Sequence, residues 1–311
     1  MQTLILFCAW CFDYRFGEVQ RWHPLVGFGH LATQCEQWLR HGDSATFDRW
    51  MGIVGVCLLT LPLPILLSYL RWQWPILILL DSVIIYFCLA HNSLHQHAQA
   101  VYSALAKQDI KQARETCQWM VSRDTQTLDE PEIVRAVCES VLENSHDGVT
   151  ATLFYGLIGG APLALLHRLI NTLDAMWGYR NPRFEYFGWC AARCDDGLGW
   201  LSAKFTSVIF LSQWQAWKKW RQVKTQANAY KSLNGGWVIA SGAATLSIRL
   251  GGVAVYHGEP MHSPTLGNGP VATRNDIQNC LKLLNSSVRR IFILFAVIET
   301  IKLVLIWAYN S

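Results

Sequence analysis

The stretch ESVLENSHDG crowds Glu139, Glu143, Asn144 and Asp147 against the apolar run VTATLFYGLIGGAPLALL. A second acidic pair, Asp195-Asp196, follows Arg193 in FGWCAARCDDGLGW. Carboxylates are hard oxygen donors for cations such as magnesium, and they also act as general bases. Arg123, Arg193, Lys204 and Arg249 are cations of the kind that hold phosphates. Gly251-Gly252 allows a ligand close to the backbone. Other polar clusters are SRDTQTLD, NTLDAMWGYR, SLNGGW and the region of Asp13, His23 and Pro24. Each lies with glycines or a charge at the margin of an apolar segment. Together they exceed what a purely structural membrane protein requires.

The elements that carry these residues are read from composition and periodicity. The 311 residues are 51% hydrophobic and only 15% charged, against roughly 25% charged in soluble domains. The 15 tryptophans suit membrane interfaces. These numbers predict an all-α, polytopic helical integral membrane protein with cytoplasmic amphipathic helices and loops. The net charge of +4 comes without a basic, aromatic-interleaved stripe, so nucleic acid is not an expected partner. The ten cysteines lack zinc spacing. Cys8 and Cys11 read as small residues on a helix face.

No repeat or linker splits the chain, so residues 1–311 are expected to form one membrane domain. Clear spans are predicted at about 50–70, 75–94 and 291–309, with a probable first helix at 1–12. Pro62 and Pro64 should kink the first span. Asp81 interrupts the second. Glu299 and Lys302, three apart in the last, are expected to pair. The region 91–144 reads as amphipathic helices. Asp129, Pro131 and Glu132 mark a helix start there. Segments 149–166 and 237–256 are apolar but Gly-rich, and are read as spanning, re-entrant or buried. Gly156, Gly159, Gly160 and Pro162 predict that 149–166 is not one straight helix. The basic stretches 206–230 and 15–49, read as loops, should face the cytoplasm. Plainer readings stand beside the chemical ones. Asp195-Asp196 could cap a helix, Asn171 and Asp174 could cap the Met176–Gly178 turn, and His23 could be interfacial. His91, His95 and His97 read as a wet helix face.

The ordered set RDT…L…RA…ES…EN..DGV, NTLD.M.GY, FG…AR.DD and RLGG…Y.GE resembles the adenosylcobinamide-phosphate synthase family of cobalamin biosynthesis (CobD/CbiB), nearly end to end. That resemblance implies a multi-pass protein of the plasma membrane with its active site facing the cytoplasm. It implies amide-bond formation between adenosylcobyric acid and an aminoalcohol such as aminopropanol phosphate, with ATP and Mg2+. The corrinoid is then substrate, the lipid bilayer is the setting, and other late cobalamin-pathway enzymes are candidate partners. No GxxxxGK[ST] is present, so ATP would not sit in a P-loop. On this reading Glu139, Glu143, Asp147 and Asp174 are catalytic candidates, and Asp195 and Asp196 metal ligands. Substrate or phosphate contacts fall to His23, Arg123, Asp124, Asn144, Asn171 and Tyr179, and to Arg193, Lys204, Asn234, Arg249, Gly251 and Gly252. The acidic and motif residues are expected to line one cytoplasmic cavity. The chain departs from the family pattern at Val19, Thr152, Ser202 and Leu233. The competing reading is a non-catalytic, AmpE-like regulatory or sensory paralogue. Such a paralogue would have no need to keep the whole acidic set, which this chain retains.

Overall fold

The computed structural model describes residues 1–19, 21–42, 44–212, 214–256 and 259–310. The helices α1 (Gln2–Phe16), α2 (Pro24–Leu39), α3 (Ala45–Thr60) and α4 (Pro62–Gln73) lead to a 3-10 turn, Pro75–Leu80. Next come α5 (Asp81–Cys88), α6 (His91–Ala106), α7 (Ile110–Gln118) and α8 (Glu130–Ser145). A π turn, His146–Thr150, joins α8 to α9 (Ala151–Trp177). Then follow α10 (Trp189–Leu211), α11 (Trp214–Trp217), α12 (Trp220–Ala229) and α13 (Leu233–Leu246). A hairpin of β1 (Leu250–Tyr256) and β2 (Glu259–Leu266) precedes α14 (Arg274–Asn310).

Among the described residues four helical stretches are long and apolar enough to cross a membrane: Ala45–Gln73, Ile78–Ala106, Glu130–Trp177 and Arg274–Tyr309. The most apolar window of the third is 67% buried within the protein, and that of the fourth only 11%. The aliphatic surface of α14, including Ile301, Leu303 and Leu305, is therefore bare, whereas that of α9 is largely covered by protein.

Several expectations change. The all-α reading gains the β1–β2 hairpin. Segment 237–256 is not one helix, because α13 ends where Ser247 turns left-handed (φ 55°) and β1 then begins. The span expected at 75–94 overlaps the membrane-length stretch Ile78–Ala106, but it opens with a 3-10 turn and a short helix and is interrupted at extended Leu89 before α6. The basic stretch 206–230 is largely helical, in α10 and α12. Glu299 binds the Met1 amino group at 2.9 Å and the Thr3 N–H at 3.1 Å rather than Lys302.

The chain forms two compact units. The first comprises Met1–Ala90, Asp147–Gly199 and Glu299–Ser311, the second His91–His146 and Trp200–Ile298.

In the first unit α9 packs against α1 to α5. It is broken at Gly160, whose φ of 68° and ψ of −157° are non-helical. Only glycine adopts this backbone without cost. Pro162, two residues on, withholds a donor where the helix restarts. The break leaves backbone groups without helical partners, and two charged side chains take them. Asp81 accepts from the Ala161 N–H at 3.2 Å, and Arg71 donates to the Gly159 carbonyl at 3.4 Å. Arg71 and Asp81 are themselves paired at 3.4 Å, with Asp81 almost fully buried. Beyond the break the chain doubles back. A Cβ on Gly148 would lie 3.8 Å from the Arg168 guanidinium. A straight helix would separate these positions by about 30 Å, beyond the reach of an arginine. The interruption expected in 149–166 is thus a single residue that reverses the chain.

In the second unit α8 opens with a full capping box. Asp129 accepts from the Glu132 N–H at 2.9 Å, and Glu132 accepts from the Asp129 N–H at 3.0 Å, with Pro131 in the first turn. The helix is held by α6, α7 and α13. The hairpin carries a bulge between Leu250 and Gly252, where Gly251 has a φ of 83°. A bulge releases a backbone N–H from the ladder, and Gly251 gives its own to the Glu139 side chain.

A Cβ at Gly160 would stand 2.6 Å from Arg71 Nη1 and 2.8 Å from Asp81 Oδ2. Gly160→Ala combines this crowding with a left-handed backbone, and should cost at least about 2 kcal/mol. Nothing lies within 4 Å of a Cβ on Gly197, so Gly197→Ala should be neutral or stabilising by up to about 1 kcal/mol. Thermal unfolding of the two variants in detergent measures the contrast.

Candidate functional site

In the first unit the end of α9, the start of α10 and the turn before α9 bring together four carboxylates: Asp147, Asp174, Asp195 and Asp196. Asp174 and Asn171 lie within α9, and Asp195 and Asp196 within α10. The capping readings of both pairs therefore fall away. Asn171 donates its amide to Asp195 Oδ1 at 3.3 Å and accepts from Arg168 at 3.3 Å. Arg193 reaches Asp196 at 3.1 Å, but both groups are about half exposed, and such a pair contributes little to stability. Burial, then the charges of Asp147 and Asp174, push the Asp195 carboxyl well above the usual range, opposed by the Asn171 hydrogen bond.

His23 is buried and caps α2, its Nδ1 accepting from the Leu25 N–H at 3.2 Å. Burial lowers its pKa, Glu18 raises it and Arg168 lowers it. The ring is neutral at pH 7 and carries its proton on Nε2. Arg168, absent from the sequence reading, thus lies near His23, Gly148 and Asn171. Its spacing of three from Asn171 on a helix was the available signal. Tyr179 is exposed just past the end of α9. At the departure Thr152, the hydroxyl bonds the Cys88 carbonyl at 3.4 Å.

In the second unit Glu139 is buried on α8 and meets buried Arg123 at 2.5 Å. Its other oxygen accepts from the Gly251 N–H at 2.7 Å. Arg135, one turn earlier, holds the Val253 carbonyl at 2.6 Å. The polar face of α8 is therefore tied to a loop and to the hairpin. Glu143, one turn beyond Glu139, is half-buried, and its Oε1 would be 2.8 Å from a Cβ on Gly235 in the first turn of α13. Asn144 donates to the Ser140 carbonyl and hydroxyl, and Ser140 to the Met120 carbonyl. A cleft of about 230 Å³ opens among these residues, lined by Arg123, Glu139, Ser140, Glu143, Asn144 and Lys231. Ser140 and Lys231 had been missed.

Other candidates stand apart from this cleft's lining. Lys204 sits with its ammonium 3.1 Å from the Trp200 ring centre and 5.9 Å from that of Trp237. Asp124 closes a local turn by accepting from the Gln126 N–H. Arg249 is exposed, its N–H given to the Pro270 carbonyl. Asn234 is buried in the first turn of α13. Gly252, at φ 98°, brings Arg135 within 3.2 Å of where its Cβ would be. Ser202, another departure, shares a buried hydrogen bond with His146 at 2.9 Å. His91 and His95 both bind the Asn285 side-chain oxygen, and His97 packs on Trp119. Gly258 and the side chain of Glu259 lie outside the described residues. Among the described residues no three His, Cys, Asp or Glu donors already stand close enough to hold one metal ion.

A mostly helical chain with four membrane-length apolar stretches and two carboxylate-bearing sites is the class that fold and site define. Residues 6–284 match the family described as CobD/Cbib protein, and the chain belongs to that family. The "Cobalamin biosynthesis protein CobD" of Chromobacterium violaceum is 44% identical over 288 residues, covering 91% of this chain and 92% of that protein. The protein of the same name from Stutzerimonas stutzeri is 43% identical, covering 89% and 91%. That of Halalkalibacterium halodurans is 35% identical, covering 92% and 93%. No solved structure matches the chain.

Two predictions follow from the carboxylates. Glu139→Ala removes the carboxylate paired with buried Arg123, which should cost about 3 kcal/mol. Denaturant unfolding of the variant reads this directly. The raised Asp195 carboxyl means that the folded protein holds a proton which the unfolded chain has released. Metal-free protein should therefore lose stability as pH rises from about 4 toward 7. Asp195→Asn should flatten that loss, as melting temperatures across the range will show.

Proposed function

We propose that the chain is a cobalamin-pathway ligase that joins adenosylcobyric acid to an aminoalcohol phosphate through an amide bond, giving adenosylcobinamide phosphate. The observation that carries this reading is the family match over residues 6–284, in a chain that keeps its carboxylates in both compact units. Hydroxide is a poor leaving group, so the acid must be activated. ATP transfers its terminal phosphoryl group to the corrinoid carboxylate, releasing ADP. The amine then attacks the acyl carbon, phosphate departs, and a base takes the amine proton.

The first unit suits a divalent cation chemically. Asp147, Asp174, Asp195 and Asp196 bring four carboxylates together, and burial first, then the charges of Asp147 and Asp174, push Asp195 toward its protonated form. Magnesium is commonly held by one or two carboxylates, with phosphate oxygens and water completing its shell. Three preassembled protein ligands are therefore not required. Asp195 with one neighbouring carboxylate would hold the ion, which when bound neutralises phosphate charge. Asn171 fixes the Asp195 carboxylate through its amide. Neutral His23, with its Nε2 proton, is a donor for an anionic oxygen. In the second unit Glu143 is the carboxylate placed to accept an amine proton. Glu139, held by Arg123 and Gly251, positions the hairpin. We place the protein in the plasma membrane, with its basic stretches and its site on the cytoplasmic side.

Purified protein given adenosylcobyric acid, aminopropanol phosphate and Mg-ATP should yield a corrinoid whose mass has grown by the amine less one water. Asp195→Asn and Asp196→Asn should each lower turnover by roughly a hundredfold while melting no earlier than wild type. Full turnover in both variants would remove the metal role, and absence of product from wild type would remove the ligase reading.

A further inference from the structure

Between Asp196 and Glu259 the chain holds seven basic residues and no acidic one. Three of the seven, Lys218, Arg221 and Lys224, are exposed at the junction of α11 and α12 and along α12. A fourth exposed cation of the same unit is Arg289 in α14. Among the described residues none of the four has a side-chain hydrogen bond or an ion pair. Basic side chains with no counter-charge of their own create a field that attracts anions.

The fold places these cations at one level of the second unit. The exposed positions of α14 are first Asn275, Lys282 and Arg289, and then Ile293, Leu294 and Val297. The open face of the helix thus changes from polar to aliphatic just past Arg289. Arg290 donates to the Ile209 carbonyl at 2.9 Å, near the end of α10. The next carbonyl, that of Phe210, accepts from the Thr245 hydroxyl at 3.1 Å, and the Lys219 ammonium donates to the Ala244 carbonyl at 2.7 Å. Both ends of the connection 210–219 are therefore pinned to the last turn of α13. This holds Lys218 beside the level at which α14 turns apolar. From there α12 buries Val223 and Ala227 and leaves Arg221 and Lys224 open. Trp217 is half exposed, its ring 5.4 Å from that of Trp220. Indole and basic side chains at the foot of a bare aliphatic helix are what the headgroup level of a bilayer selects. The sequence reading saw no basic stripe, because α12 and α14 supply it jointly.

We infer that Lys218, Arg221, Lys224 and Arg289, with Trp217 beside them, form a band that binds the headgroups of anionic phospholipids. The inference rests on the membrane placement proposed above and names the lipid class that this face selects. Nucleic acid is the other polyanion that such a band could meet, but it has no use for a bare aliphatic helix face next to the charges. A basic side chain near an anionic membrane surface strengthens binding about fivefold, and salt screens the effect.

The test is native mass spectrometry of the full-length protein in a neutral detergent, titrated with phosphatidylglycerol or with phosphatidylcholine of the same acyl chains. Phosphatidylglycerol should bind at least about fivefold more tightly, and its advantage should shrink as salt is raised. Lys218→Gln, Arg221→Gln and Lys224→Gln, made together, should abolish that advantage. The same loss of charge at exposed Lys107, Lys111 and Lys282 of the same unit, each changed to Gln, should leave it intact. Melting curves in detergent check that both triple variants are folded. An advantage that survives the first triple variant, or is lost equally in the second, overturns the assignment. So does a short single-stranded DNA that binds through Lys218, Arg221 and Lys224 while the two lipids bind alike. Wild-type protein that retains both lipids equally removes the anionic band and leaves the membrane reading. Retention of neither lipid removes both.

Discussion

The ion pair between Arg71 and Asp81, closed on the broken backbone at Gly159–Ala161, is the constraint on which the first unit depends. A helix interrupted in an apolar setting exposes a carbonyl and an N–H that neither lipid nor aliphatic side chains can satisfy. Here the carbonyl receives Arg71 and the N–H is received by Asp81. Each charge also offsets the burial of the other. Gly160 and Pro162 interrupt the helix, and the clamp satisfies the backbone groups which that break exposes. A straight helix would carry Asp147 far from Asn171 and Asp174. The gathering of carboxylates in the first unit thus depends on a polar contact at the break in α9.

The carboxylates fall into two physical states that their residue types do not distinguish. Glu139 is compensated, with one oxygen on a guanidinium and the other on a released backbone N–H. It organises a loop, a helix and a hairpin bulge at once. Asp195 is uncompensated, with other carboxylates around it and only an amide in support. Compensation makes Glu139 a structural anchor, whereas burial and the like charges around Asp195 hold its carboxyl above the usual range.

What could be read from the sequence was what is decided locally. The start of α8 was legible because Asp129, Pro131 and Glu132 settle it within one turn. The break in α9 was legible because glycines and a proline gather at one depth. The partners of the break were not, since nothing in the composition ties Arg71 and Asp81 to a segment some eighty residues later. Glu299 looked matched to Lys302 by helical spacing, yet the Met1 amino group stands closer in the fold. The hairpin hid in an apolar, glycine-bearing stretch whose run of Val253, Ala254, Val255 and Tyr256 suits a strand as well as a buried helix. Lys231 and Ser140 went unnoticed because only the packing of α8 beside α13 and the turn before it gives them a common cleft.

Arg71 and Asp81 are ten residues apart, joined by the Trp74–Pro75 corner and a single 3-10 turn. Their pairing needs only a short loop closure, whereas the backbone they hold is made much later on the ribosome. The receptor for the break in α9 can thus be complete before α9 leaves the translation tunnel. A chain synthesised from its N-terminus meets its most demanding polar step with the acceptor and donor already in place. Biogenesis therefore has a preferred order: the α4–α5 corner acts as a template and α9 as the late arrival. A substitution at Arg71 or Asp81 would be felt first in the yield of correctly folded protein.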